Sequence, residues 1–464
     1  MGAKGDFVVK VTRTETVAAV LPMQDHWLPM SNLDLLLPPV DVGVFFCYKK
    51  PKDNSLTFGS MVGVLKKAMA QALVSYYAFA GEVVQNTVGE PELLCNNNGV
   101  EFVEAFAEVE LRDLNLHNPD ESIEGKLMPK KKHGVLSVQA TELKCGGLVV
   151  ACTFDHRVAD AYSANMFLVS WAEMAQSKPL SQLPSYRRSL LNPRRPGFYH
   201  PSIDDLYVPV CALPPPTDPQ PDTNDNQLVS RIYYIEANHL CSLQSLANGG
   251  NNGTTIGMGR KRSKLEAFSA FLWKLVAAAG EENKVCRMGI VVDGRTRLQV
   301  GDRKTTQMDS YFGNVVSIPF GEKNSEELTE RPLSWVADSV HEFLDTAVTE
   351  DHFQGLIDWV EAHRPQPLLA KIYAGGGEEG PAFVVSSGQR FPVEKVDLGW
   401  GKPAFGSYHF PWGGRAGYVM PMPSPLDNGD WIVYMHLLQR QLDLVEAKAG
   451  HVFRALTSDY IKLI

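Results

Sequence analysis

The sequence predicts a mixed α/β protein of two domains, on three observations. At 464 residues the chain is too long for one ordinary hydrophobic core, and two units of about 200 residues each are the natural division. Stretches that alternate like strands interleave with stretches whose apolar residues recur at helical spacing, the α/β or α+β pattern. A break rich in Pro and Asp, "LNPRRPGFYHPSIDDLYVPVCALPPPTDPQPDTNDNQ", separates the halves.

Taken in order, "MGAKGDFVVKVTRTETVAAV" alternates like a strand and lacks the apolar core of a signal peptide. With Asp6 where Ser or Thr is wanted, it fits only half of a myristoylation signal. "PKKKHG", with Lys130 to Lys132, reads as an exposed turn. Leu148 to Phe154 reads as a fully buried strand, and from Ala161 the apolar crowding predicts a helix buried on most sides. Leu191 to Gln227 reads as a long extended crossover, because Pro supplies no backbone donor and fixes its own φ. The expected division is therefore 1–190, a linker at 191–227, and 228–464. A flexible loop, Gly249 to Gly259, opens onto an amphipathic helix with Leu265, Phe268, Leu272 and Leu275 on one face. "DWIVYMHLL" looks like a strand, and Gln439 to Leu463 like a closing helix.

Bulk composition narrows the function. The chain is 44% hydrophobic and 21% charged, which is globular, with no apolar stretch long enough to span a bilayer. A net charge of −9 argues against a general nucleic-acid binder, so a polyanionic ligand needs a local basic cluster. Seven scattered cysteines without a Cys-x-x-Cys pair fit reduced thiols in a cytosolic protein.

The chemistry concentrates in "LVVACTFDHRVADAYSANMFLVSW". Asp155, His156, Arg157 and Asp160 sit where a core strand turns into a core helix, and ionisable groups are costly there unless paired or used. Three readings of His156 compete. A metal site lacks third and fourth ligands at recognisable spacing. A structural histidine satisfied by its neighbours is the usual reading of a lone one. A general base, oriented by its surroundings with Asp160 as structural partner, is the third, since a neutral imidazole takes a proton from an alcohol or amine near pH 7. No Gly-x-Ser-x-Gly elbow or reactive-cysteine signature supplies a covalent nucleophile, which favours direct transfer between two bound substrates.

"HRVAD", His156 to Asp160, and "DLGWG", Asp397 to Gly401, resemble the two signatures of the plant BAHD acyltransferases, His-x-x-x-Asp and Asp-Phe-Gly-Trp-Gly. "SNLDLLLPP", "YYAFAGEV", "VDGRTR" and "YFGNVV" extend the resemblance over nearly the whole chain. The resemblance implies two chloramphenicol-acetyltransferase-like domains with the active site in a channel between them. It also implies acyl transfer from a coenzyme A thioester, as cosubstrate, to an alcohol or amine. His156 becomes the base; Asp160 points away from the substrate and pairs with an arginine, Arg295 being preferred over Arg297 of "DGRTR". Asp397 and Trp400 become architecture, and Leu398 replaces the usual Phe, apolar for apolar.

Coenzyme A brings phosphates, and "GRKRSKLEAF" offers Arg260, Lys261, Arg262 and Lys264 at a helix N-terminus, whose free N–H groups favour anions. Ser263 is a candidate N-cap and phosphate contact, and the family resemblance points to the same stretch. A solvated loop is the plain alternative. A tetrahedral oxyanion needs a donor; in "SSGQRFP", where relatives carry Thr-Ser-Trp-x-Arg-x-Pro, Ser386 keeps a hydroxyl and Gly388 replaces a bulky Trp, which is expected to widen the acceptor pocket. Ser386 otherwise simply ends a strand. Relatives using carboxylated acceptors place an Arg ahead of this run, whereas "LLAKIYAGGGEEGPAFVV" holds only Lys371. The expectation is a cytosolic, metal-free monomer that esterifies a neutral, aromatic alcohol of the kind used by the coniferyl-alcohol branch, with an amine or polyamine acceptor as the alternative. A binding protein that kept the fold without the chemistry is the rival of another class.

Overall fold

A computed structural model describes residues 7–213, 227–249, 261–280, 283–298, 307–374 and 380–463. Two sheets carry the architecture. The first runs Val9–Val17, Val100–Ala107, Leu136–Leu143, Leu148–Asp155, Asp41–Tyr48 and Phe405–His409 in spatial order. The helices Phe58–Ser75 and Ala161–Ala175 contribute buried apolar faces to its core. Every residue of Leu148–Asp155 is buried, as a strand covered on both faces requires.

The second sheet runs Val316–Ser317, Val285–Asp293, Ala382–Ser386, Gly417–Pro423, Trp431–Leu438, Leu228–Ile235 and Arg454–Ala455, with Phe320–Asn324 added beside Val285–Asp293. Its strands show how the two halves meet. Along Leu228–Ile235 and Trp431–Leu438, Tyr233, Ile235, Val433, Met435 and Leu437 pack with the helices Lys264–Ala278 and Gln439–Ala449. The alternate residues Ile232, Tyr234, Ile432 and Tyr434 join the core of the first sheet instead. Period-two alternation thus buries both faces and seals one sheet's layer against the other. A third core gathers around the helix Glu350–His363, with Leu33, Leu190, Tyr311 and Val315 among its members.

Four expectations are corrected. The division into 1–190 and 228–464 is not clean, because Phe405–His409 pairs antiparallel with Asp41–Tyr48 and completes the first sheet from the C-terminal part. The described part of the linker is not simply extended: Ser202–Leu206 is helical and Tyr207–Pro209 pairs with Leu368–Ala370. Ile203 and Tyr207, four apart, bury in the third core with Leu206 packed against it, which a solvated crossover would not allow. The closing helix ends at Ala449, after which the chain turns so that Arg454–Ala455 can pair with Tyr233 and Tyr234. "PKKKHG" is likewise only partly an exposed turn, since Lys131 is half-buried against Asp41 at 3.1 Å.

Candidate active site

His156 is the first residue beyond the strand Leu148–Asp155, in a turn that leads into the helix Ala161–Ala175. Its backbone N–H donates to the Val40 carbonyl at 2.9 Å. The two carboxylates flanking it in sequence are both committed elsewhere. Asp155 accepts from Arg157 through Nε at 3.0 Å and Nη2 at 2.6 Å. Asp160 caps the helix by accepting from the Ser163 N–H at 2.9 Å, the role that short acidic side chains serve at an N-cap. Neither reaches the imidazole, whose buried Nδ1 has no partner among the described residues.

The arginine that meets Asp160 is Arg295. Its Nη1 and Nη2 donate to the two carboxylate oxygens at 2.7 and 3.1 Å, with side chains only 1% and 3% exposed. Nη2 also donates to Ser163 Oγ at 3.0 Å and to the Gly313 carbonyl at 2.8 Å, and the guanidinium lies over the Tyr162 ring. Burial works against the guanidinium's charge, but the Asp160 and Asp293 carboxylates more than offset it and hold Arg295 more firmly protonated than usual. A pair this satisfied is a fixed joint between the strand–helix turn and the second half of the chain. Arg297 has no place in it.

An aromatic cluster meets the histidine through Phe410. Phe410 lies edge-on to His156 with centroids 6.3 Å apart, and Tyr418 and Trp412 pack on Phe410 at 5.0 and 6.4 Å. Tyr373 completes the group against Trp412 at 4.9 Å. Burial raises the Tyr418 phenol well above its ordinary pKa, with the neighbouring Ser386 hydroxyl opposing, so it stays protonated. Ser386 ends the strand Ala382–Ser386, with its hydroxyl next to the Tyr418 phenol. Sequence reading missed all four aromatics: Phe410, Trp412 and Tyr418 lie in "SYHFPWGGRAGY", dense in aromatic and glycine residues and the available signal, and Tyr373 lies apart.

Gly388 is not an opening into this space. Its N–H donates to the Pro421 carbonyl at 2.9 Å. A Cβ built there would stand 2.6 Å from Met422, 2.9 Å from Met420 and 3.0 Å from the Pro421 oxygen. The missing side chain lets the loop lie flat on the strand Gly417–Pro423; it does not enlarge an acceptor pocket.

The remaining candidates are spread out. Asp397 Oδ1 accepts from the N–H groups of Gly399 and Gly401, at 2.9 and 3.0 Å. Both glycines have positive φ, 106° and 118°, which side-chain-bearing residues avoid. The Asp397 carbonyl accepts from Gln176 at 2.6 Å and Trp400 packs on Tyr48, so this motif ties a loop to the end of the helix Ala161–Ala175. Ser263 caps the helix Lys264–Ala278 in a reciprocal box with Glu266. Arg262 beside it is bonded to Asp338 at 2.8 and 3.0 Å, and Lys264 is half-buried. Arg260 and most of the loop Gly249 to Gly259 lie outside the described residues. Among the described residues no cluster of His, Cys, Asp and Glu could hold a metal ion, and no helix is long and apolar enough to cross a membrane.

Known proteins resemble this chain over most of its length. The model of the Transferase family matches residues 7–452. Shikimate O-hydroxycinnamoyltransferase of Nicotiana tabacum is 26% identical over 94% of this chain and 98% of its own length. Putrescine hydroxycinnamoyltransferase 3 of Oryza sativa subsp. japonica is 25% identical over 90% of this chain and 92% of its own. Among solved structures, F. graminearum TRI101, complexed with coenzyme A and T-2 mycotoxin, superposes with a TM-score of 0.71 at 15% identity, covering 92% of this chain and 98% of TRI101.

Proposed function

The chain belongs to the Transferase family, the acyl-CoA-dependent acyltransferases of BAHD type, and from that premise we propose that it acylates the hydroxyl of a neutral aromatic alcohol. His156 takes the acceptor's proton as its oxygen attacks the thioester carbonyl. The tetrahedral oxyanion is held by the Ser386 hydroxyl, beside which the Tyr418 phenol lies. Collapse breaks the C–S bond, and the protonated imidazole returns its proton to the coenzyme A thiolate. Asp160 and Arg295 hold the turn and touch no substrate. Arg262, Ser263 and Lys264 take the coenzyme A phosphates at the helix N-terminus, using N–H groups and cations together. The protein works as a cytosolic monomer, with the reaction in a channel between two acyltransferase-like domains.

The observation that carries the acceptor class is the cluster of Phe410, Trp412, Tyr418 and Tyr373, which meets His156 through Phe410. An aromatic substrate buries a large area there and offers a ring for edge-to-face packing. Amide formation on an amine is the second reading, favoured by the similarity to a putrescine hydroxycinnamoyltransferase at nearly the same identity as to an O-acyltransferase. Thiol release from acetyl-, malonyl-, benzoyl- and p-coumaroyl-CoA, each run with coniferyl alcohol, benzyl alcohol, tyramine and putrescine, separates the two. Turnover confined to the amines overturns the alcohol reading; no thiol release with any pair removes both and leaves a binding protein.

A further inference from the structure

Two sequence motifs lie outside the mechanism so far, "SNLDLLLPP" and "YFGNVV", and the fold brings them together behind His156. Asp34 and Asn314 are both fully buried. Asp34 Oδ1 accepts from the Asn314 backbone N–H at 2.7 Å and from its Nδ2 at 2.9 Å. Asp34 Oδ2 accepts from the Ser31 N–H at 2.9 Å and Oγ at 2.7 Å, so the carboxylate is fully engaged. From this anchor the Asn314 Nδ2 also reaches the carbonyl oxygens of His156 at 3.0 Å and Arg157 at 3.1 Å. The amide oxygen of Asn314 has no partner among the described residues, so the side chain acts here purely as a donor.

We propose that Asn314, anchored by Asp34, is a positioning residue that fixes the peptide of His156 and thereby aims its imidazole. The inference rests on His156 being the base. Among the described residues nothing bonds the ring at Nδ1, and unlike a base held by a carboxylate it takes its direction from its own backbone and from packing on Phe410. The backbone of this turn is held at two ends. Asp160 holds the far end, accepting from Arg295 and from the Val315 N–H at 3.1 Å. Asn314 holds the near end, at the peptide oxygens of His156 and Arg157. Both clamps run through one segment, because Gly313, Asn314 and Val315 are consecutive and Gly313 accepts from Ser163 and Arg295. Gly313 has φ of 145°, and a Cβ there would stand 2.9 Å from Arg188 and 3.3 Å from Asp34. The segment is therefore built to pass close behind the turn, with glycine where no side chain fits.

Asn314→Ser removes the reach of the side-chain donor and keeps the backbone bond to Asp34. A misplaced base costs on the order of a hundredfold, so kcat for a donor and acceptor pair active in the parent should fall about 30- to 100-fold. KM for the acyl-CoA should stay within about twofold, since the clamp touches no cofactor. Parental kcat in the folded variant overturns the proposal. Exchanging the partners, Asp34→Asn with Asn314→Asp, gives the sharper test. The exchange can re-form the side-chain pair but leaves no N–H for the carbonyls of His156 and Arg157. Relative to Asn314→Asp alone, it should recover the urea midpoint and not kcat; recovery of both would show a merely structural pair. Amide hydrogen exchange across Asp155 to Val158 needs no turnover, and should accelerate in Asn314→Ser. If the parent releases no thiol from any acyl-CoA, the functional reading fails, and this exchange alone decides: unchanged protection overturns the clamp.

Discussion

At the scale of single residues, the proposed mechanism gives His156 the chemical task and leaves its neighbours in the turn to hold it. His156→Ala should lower kcat by about 10²- to 10⁴-fold and leave acyl-CoA binding nearly unchanged, as loss of a general base does. Steady-state kinetics together with calorimetric titration of coenzyme A checks both halves. Asp160→Asn acts through the fold. It leaves the Arg295 guanidinium buried without its main partner, and breaking such a pair from one side costs about 3–5 kcal/mol. The urea midpoint and kcat should fall together, and a variant of parental stability would show that the joint is dispensable. Gly388→Ala should cost about 1–3 kcal/mol by overpacking against Met422 and the Pro421 carbonyl. Turnover of large and small acceptors should drop in the same proportion; selective loss of large ones would restore the pocket role that the geometry removes. The place of His156 in its turn and the pairing of Asp160 with Arg295 were legible because charged residues stand out in an apolar run or a known motif. Gly388 was misread because a missing side chain looks the same in sequence whether it opens a cavity or permits contact.

At the scale of elements, helix ends and strand faces set the electrostatics. The helix Lys264–Ala278 begins with Ser263 accepting from the Glu266 N–H at 3.2 Å. Ser263→Gly keeps most of the capping, at a cost of a few tenths of a kcal/mol, while removing the hydroxyl. If that hydroxyl also meets a coenzyme A phosphate, the acyl-CoA KM should rise about tenfold, the worth of one hydrogen bond to a charged group. An unchanged KM would reduce Ser263 to a cap. On the strand Trp431–Leu438, burial pushes His436 down to about 4, partly offset by Asp120 and reinforced by His409. Burial likewise pushes His352 down to about 4. The unfolded chain binds protons on these imidazoles below about 6.5, whereas the folded chain does so only near 4. Stability therefore falls as pH drops through the window from 6.5 to 4. Urea unfolding at pH 7, 6, 5 and 4.5 should show this loss, and His436→Gln should flatten it by about one proton. The alternation that placed strands was readable in the sequence. Which face of each strand meets helices and which meets the other sheet was not, because both faces are apolar.

At the scale of the molecule, the strand Phe405–His409 decides how the halves depend on each other. It covers the edge of Asp41–Tyr48, where seven of eight residues are buried, and leaves that edge open if removed. A fragment of residues 1–213 should therefore aggregate when expressed alone, and co-expression with 227–464 should return soluble complex; a soluble, monomeric fragment on gel filtration would contradict this. The sequence by itself determined the class of the fold, the two-part build, the strand–turn–helix that presents His156 and the family to which the chain belongs. Those properties follow from local periodicity and from motifs whose residues lie close together in the chain. Only the tertiary structure decided that the first sheet is completed from the C-terminal part and that an aromatic cluster of Phe410, Trp412, Tyr418 and Tyr373 meets the histidine through Phe410. It also decided that Asn314 and Asp34, 280 residues apart, meet behind one turn. Contacts of that kind depend on how whole layers stack, and no spacing along a chain records which of several apolar faces will be buried against which.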